Sequence, residues 1–279
     1  MANSLSIQIQ KIIPQHLLSE FMGWLASIRT PRIKNWMIRR FIRKYHVDMS
    51  LALAEHPEAY PDFNHFFIRQ LKPELRPITS HGIASPVDGT IAQIGRIYQN
   101  QLLQAKNFYY SLETLLGGDA ALANTFHDGA FATLYLAPRD YHRVHMPLSG
   151  ELVQSIYLPG NLFSVNRMTS EIIPNLFTRN ERLVTIFETQ AGKMAVILVG
   201  AMIVGNIQTV WMDKPARSTG RKLFTPENKI QLNTGAELGH FTLGSTVIVL
   251  FEKNKTTWAN ALRADSTVQF GQEMGNIIF

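Results

Sequence analysis

The sequence contains no cysteine. That absence excludes a disulfide framework, any thiolate metal site and any cysteine nucleophile, and it fits a reducing compartment. Charged residues are also scarce, at 17% of 279, whereas 46% of the chain is hydrophobic. Such a composition argues against disorder and allows one large domain or two modest ones. Long apolar runs are missing too. The longest, Met194 to Val204, falls well short of the roughly 20 residues that a bilayer-crossing helix needs. The first ten residues lack the basic-then-apolar order of a signal peptide. There is no Gly-x-Gly-x-x-Gly and no glycine-rich phosphate loop ending in Lys-Ser or Lys-Thr. Nor is there a Gly-x-Ser-x-Gly elbow of the α/β-hydrolase kind.

Acidic residues are the minority charge, and the formal net charge is +6. An acidic partner follows, either nucleic acid or an anionic membrane surface. The cations decide between them, because they cluster near the N-terminus instead of interleaving with a nucleic-acid reader motif; no nucleic acid is expected. Leu17, Leu18, Phe21, Trp24, Leu25 and Ile28 are spaced as one apolar helix face. Pro31 interrupts, and a second helical stretch carries Trp36, Ile38, Phe41, Ile42 and Tyr45 among seven Lys and Arg between Arg29 and Lys44. Apolar residues beside clustered cations read as an interfacial helix, and each basic residue held near an anionic leaflet adds about 1 kcal/mol. The alternative is an ordinary core-facing helix with a solvated basic face.

Prolines 57, 61, 73 and 77 then break the chain into short pieces, with a helix docked on the core at Phe63, Phe66 and Phe67. After Ile78 the pattern changes to short strands and turns. Strands are predicted at Thr90–Gly95, Phe131–Leu136, Glu151–Leu158, Leu183–Phe187, Met194–Val199, Ala201–Val204 and Thr246–Phe251, with a short helix near Ser111 to Leu116. Asp213 to Gly235 is polar and rich in turn residues, which predicts a long surface loop. The fold class is α+β: amphipathic N-terminal helices over residues 1–50, in contact with membrane, precede a β-rich sandwich- or barrel-like domain over residues 51–279.

Three places carry candidate chemistry. Asp88-Gly89 stands before a strand, where a turn is the commoner meaning. His142 and His145 lie between Pro138 and Pro147. On a straight strand they would face opposite ways, but in an irregular stretch they can converge, and histidine suits proton transfer near neutral pH. Two histidines with no nearby carboxylate fall short of a zinc motif, so no metal site is expected. Gly244-Ser245 heads the apolar run Val247 to Phe251, and glycine tolerates the unusual backbone that attack on a neighbouring carbonyl requires.

Together these segments resemble the bacterial phosphatidylserine decarboxylases. The resemblance is carried by Phe63-Asn-His-Phe-Phe-Ile-Arg, Ser85-Pro-Val-Asp-Gly, Tyr141-His-Arg-Val-His-Met-Pro, Gly160-Asn-Leu-Phe-Ser-Val-Asn and Leu243-Gly-Ser-Thr, in that order. One departure is Arg167, where the resemblance leads one to expect proline after Ser-Val-Asn. The resemblance implies self-cleavage between Gly244 and Ser245. Ser245 Oγ attacks the Gly244 carbonyl, the resulting ester is eliminated, and residue 245 becomes a pyruvoyl group. In that scheme His145 is the base, Asp88 orients it, and the pyruvoyl forms a Schiff base with phosphatidylserine. His142 assists decarboxylation and reprotonates the carbon to give phosphatidylethanolamine. It also implies a heterodimer of the two cut chains, a homodimer of that unit, and a peripheral place on the cytoplasmic side of the bacterial inner membrane. The competing reading is a non-catalytic basic protein that binds anionic membrane surfaces. A zinc-dependent hydrolase is a distant third.

Overall fold

The computed structural model describes residues 15–105, 108–201, 207–212, 218–242 and 245–278, apart from the side chains of His16 and Ser245. Two helices come first, α1 (Gln15–Ala26) and α2 (Pro31–Tyr45). Pro31 does not merely interrupt: it occupies the first turn of α2, where its missing N–H costs nothing and its fixed φ suits the helix. His46 ends α2 in the left-handed conformation, and its N–H bonds the Ile42 carbonyl. In α3 (Phe63–Phe67) the Asp62 carboxylate caps the helix by accepting the His65 N–H at 3.0 Å. The Phe41 ring meets Phe63, Phe66 and Phe67 at centroid distances of 5.1, 5.9 and 5.9 Å. With Ile38, Val47 and Tyr60 they form a small aromatic core of their own.

Strands then dominate. β1 (Ile83–Ala84), β2 (Gly89–Arg96), β3 (Gln101–Ala105) and β4 (Phe108–Ser111) lead into the short helices α4 (Leu112–Leu115) and α5 (Ala120–Thr125). β5 (Ala130–Leu136), β6 (Arg143–His145) and β7 (Gly150–Leu158) follow, then α6 (Arg167–Ser170) and α7 (Leu176–Arg179). The remaining strands are β8 (Arg182–Thr189), β9 (Gly192–Val199), β10 (Ile207–Thr209), β11 (Lys222–Phe224), β12 (Gln231–Leu232) and β13 (Glu237–Phe241). The chain closes with β14 (Ser245–Phe251), β15 (Thr256–Trp258), β16 (Thr267–Val268) and β17 (Glu273–Ile277).

The main sheet has nine strands in the order β11-β7-β8-β9-β14-β5-β2-β16, with β12 also on β7. Its pairings are antiparallel, and the order does not close into a barrel. The α+β expectation therefore holds, with an open sheet. β14 lies between β9 and β5, paired along nearly its whole length on both sides. Val247, Ile248, Val249, Leu250 and Phe251 are all buried, so both faces of this strand are covered. Full burial of such a side chain stabilises by about 1.5–3 kcal/mol, which makes β14 a strong anchor for the residues that follow it.

Two expectations are corrected. Asp213 to Gly235 is not one loop, because β11 and β12 pair with β7 there. Edge pairing needs only backbone donors and acceptors, so Lys222 and Leu223 can be strand while their side chains stay exposed and show no burial alternation. Ala201 lies outside any strand, and the rest of the expected strand to Val204 falls outside the described residues.

Candidate active site

Three separate segments meet beside the start of β14. The Ser85–Asp88 turn touches the histidine segment through its backbone: the His145 N–H donates to the Pro86 carbonyl at 2.9 Å and the Ala84 N–H to the Pro147 carbonyl at 3.0 Å. The C-terminal segment closes on the same turn, with the Ser85 N–H on the Gln272 carbonyl and the Gly271 N–H on the Ser85 carbonyl. Gly89 is required for packing, since a Cβ there would sit 2.5 Å from the Tyr135 carbonyl oxygen. Asp-Gly thus serves a close strand approach, and the carboxylate next to it is free to take a separate task.

His142 precedes β6 and is wholly buried. Its Nε2 lies 3.0 Å from the Ala137 carbonyl, and its ring stacks on Phe67 with centroids 4.1 Å apart. A carbonyl only accepts, so Nε2 carries the proton and Nδ1 the lone pair. That Nδ1 has no hydrogen-bond partner among the described residues. Burial lowers the His142 pKa to about 3, with the Arg69 guanidinium adding to the effect, so the ring is neutral at pH 7.

The backbone brackets this histidine around the motif bond. Before the bond, β13 pairs with β6, and the Phe241 N–H donates to the His142 carbonyl at 3.2 Å. After it, Ser245 pairs with Leu136, one residue from the Ala137 carbonyl that holds the His142 ring. Leu243, Gly244 and the Ser245 side chain lie outside what the structure describes.

His145, in β6, has a different setting. Its Nδ1 donates to the Gly235 carbonyl at 2.9 Å, and its Nε2 accepts the Tyr141 hydroxyl at 3.0 Å. Gly235 has φ +80°, a left-handed turn position that suits glycine and aims this carbonyl at the ring. Phe270 lies flat on the imidazole, centroids 3.7 Å apart and planes 20° apart. Burial lowers the His145 pKa to about 4. The two histidines therefore keep separate partners and do not converge as a ligand pair.

Asp88 bonds Arg76 by two nitrogens, Nη2 to Oδ2 at 2.7 Å and Nε to Oδ1 at 3.0 Å, and its Oδ1 accepts the Phe270 N–H at 2.8 Å. It makes no hydrogen bond to His145 among the described residues. The two are joined through Phe270. A cleft of about 250 Å³ opens beside Asp88, lined by Arg69, Arg76, Arg139, Asp140 and Tyr141 among others. Another, also about 250 Å³, is lined by Thr90, Tyr135 and Val165, with Arg167 and Asp265 at its wall. Arg167 pairs there with both Asp265 oxygens at 2.9 Å and with Glu171 at 3.2 Å.

Sequence reasoning quotes Tyr141 in the histidine motif without giving it a role, and gives none to Arg76, Phe270 or Gly235. Tyr141 stands next to His142, so adjacency was a usable signal. Phe270 lies 182 residues from Asp88 with no motif around it, and nothing in the sequence marks it.

The sequence is similar to known proteins. The profile of the family described as Phosphatidylserine decarboxylase matches residues 63–276, and a second profile, described as PSD, matches residues 5–46. Proteins named phosphatidylserine decarboxylase proenzyme are similar over nearly full length. Those of Azotobacter vinelandii and Saccharophagus degradans are 48% and 45% identical, each with 99% of both chains covered. That of Ectopseudomonas mendocina is 49% identical, again with 99% of both chains covered.

Proposed function

The chain belongs to the phosphatidylserine decarboxylase family, and from that premise we propose how its residues divide the work of converting phosphatidylserine to phosphatidylethanolamine. The protein is made as a proenzyme and must first cut itself. The Ser245 hydroxyl attacks the Gly244 carbonyl carbon; the new C–O bond replaces the peptide C–N bond and frees the amino group of residue 245. His145 takes the hydroxyl proton on Nε2, where Ser245 replaces Tyr141 as the partner. A low pKa keeps that lone pair available at neutral pH, and such general-base help is worth about 10²–10⁴-fold. Removal of the Cα proton then expels Gly244 as a carboxylate, and water releases ammonia from residue 245.

The pyruvoyl group so formed supplies an electron sink for the pair left behind when carbon dioxide departs. The observation that fits such a group is the buried, unpartnered Nδ1 of His142, beside the backbone that brackets residue 245. A neutral ring at that place can take a proton on Nδ1 from the ammonium group of the incoming headgroup and later return that proton to the headgroup carbon that has lost carbon dioxide. β14 keeps residue 245 in place after the cut, because its pairing with β5 and β9 does not depend on the Gly244–Ser245 bond.

The protein works at a membrane surface. No helix among the described residues is long and apolar enough to cross one. α1 turns its polar and small residues inward, with Gln15, Ser19 and Ala26 buried, and leaves Leu17, Phe21 and Trp24 57–65% exposed. An apolar face pointing away from the core, together with the exposed cations that α2 carries, suits an anionic bilayer.

The test pairs two variants in a decarboxylation assay on phosphatidylserine vesicles, with processing followed on a denaturing gel. Ser245→Ala is expected to abolish both cutting and activity. His142→Ala is expected to cut and then turn over at least about 100-fold more slowly. An uncut wild-type chain that binds vesicles without releasing carbon dioxide would instead mean a membrane-binding protein and no enzyme.

A further inference from the structure

We propose that Phe270 is a positioning residue for His145, and that Arg76 and Asp88 act on this base through Phe270. The inference rests on the reading of His145 as the processing base and adds the device that holds it. A triad in which the carboxylate bonds the histidine directly needs one imidazole nitrogen for the acid. Here both nitrogens are taken by other groups, Nδ1 by the Gly235 carbonyl and Nε2 by the Tyr141 hydroxyl.

The Asp88 carboxylate is committed elsewhere as well. Arg76 holds it from one side by two nitrogens, and Oδ1 also accepts the Phe270 N–H. Both partners are largely enclosed, with the Arg76 and Asp88 side chains 8% and 14% exposed. An enclosed bidentate pair is a fixed point, and the backbone of residue 270 is fastened to it. The Gly271 N–H on the Ser85 carbonyl and the Ser85 N–H on the Gln272 carbonyl fasten the next residues to the same turn.

Phe270 is thereby held with its ring on the imidazole face. Tyr141 packs near both, 5.6 Å from His145 and 6.2 Å from Phe270. In-plane rotation of the imidazole is fixed by the Gly235 carbonyl, and tilt is fixed by Phe270. The aromatic face has a further consequence: when His145 takes the proton, the imidazolium rests on the negative face of a π-system. The charged groups around this base are Glu237 and Asp88, which favour its cation, and Arg143, which opposes it. Phe270 comes from beyond residue 245, so after cutting the small chain still holds the base of the large one.

The experiment follows cutting of the full chain made by cell-free translation, sampled over time on a denaturing gel across a pH series. Phe270→Leu is expected to slow cutting at least about tenfold, since small misplacements of a reacting group cost that much or more. It is also expected to move the acid limb of the rate, which reports proton loss from His145. Phe270→Tyr, which keeps the ring, is expected to restore both. If Phe270→Leu does not fold, Arg76→Gln is read in the same assay, and slowed cutting with a shifted acid limb is the result expected. Cutting at the wild-type rate with an unmoved acid limb in whichever variant folds overturns the proposal. A wild-type chain that never cuts overturns the earlier reading of Ser245 and His145 instead.

Discussion

At the scale of single residues, two carbonyls set the chemistry of the two histidines. Ala137 fixes the proton of His142 on Nε2, and Gly235 fixes that of His145 on Nδ1. His142 is left with a buried lone pair that meets no donor among the described residues, whereas the lone pair of His145 is held by Tyr141. The first arrangement suits the proposed role of His142 toward substrate, and the second suits the proposed role of His145 as a base kept covered until needed. Tyr141→Phe separates cover from relay. If the hydroxyl only covers Nε2, the variant is expected to cut at or above the wild-type rate, measured as loss of the full-length band. It is also expected to lose about 1 kcal/mol of stability by leaving the nitrogen unpaired. Loss of cutting would instead make the tyrosine hydroxyl part of the proton path. The motif residues were legible in the sequence because each stands in a short recognisable context. Their partners were not, because Arg76, Gly235 and Phe270 reach the site through chain folding over many residues, without any local pattern.

At the scale of elements, β14 and the N-terminal helices show opposite relations between pattern and role. The run Val247 to Phe251 reads as buried from composition alone, and it occupies the position between β9 and β5 with both faces covered. α1 has the expected helical spacing, but a periodic apolar stripe says only that the residues share a face. It does not say whether core or lipid covers that face. The structure turns it outward, with the Phe21 and Trp24 rings 5.9 Å apart. Replacing both by serine is expected to leave the melting temperature nearly unchanged, since exposed side chains contribute little to folding. Binding to anionic vesicles, read by co-sedimentation, is expected to fall more than about tenfold, because each ring contributes about 1.5 kcal/mol or more when buried in lipid. Unchanged sedimentation would remove α1 from the membrane contact. The short edge strands β11 and β12 were illegible for another reason: pairing at an edge is satisfied by the backbone and leaves little trace in side-chain type.

At the scale of the whole molecule, the buried titrating groups tie stability to pH. His142 and His145 have pKa values lowered from 6.5 to about 3 and about 4. Below pH 6.5 the unfolded chain takes up protons at both positions that the folded chain refuses, so stability falls as pH falls. Asp140 acts the other way: burial raises its pKa from 3.8 to about 6, so between those values the folded chain holds a proton that the unfolded chain has lost. Two histidines against one carboxyl leave a net of one proton, and these groups together still favour the folded state as pH rises from about 4 to 6.5. Denaturant midpoints taken across that window are expected to rise with pH, and His142→Gln is expected to flatten the slope. A midpoint that falls over the same window would contradict the buried, neutral state of both rings.

In the proposed function the cut organises the molecule, since it would make a sheet strand into the start of a second chain that carries Phe270. Intact-mass analysis of the purified, active protein tests this claim most directly. The account expects two chains, one ending at Gly244 and one beginning at residue 245. The second should be lighter than a serine-started chain by the difference between serine and pyruvoyl, which is one ammonia. An active preparation containing only the single 31.6 kDa chain would contradict it.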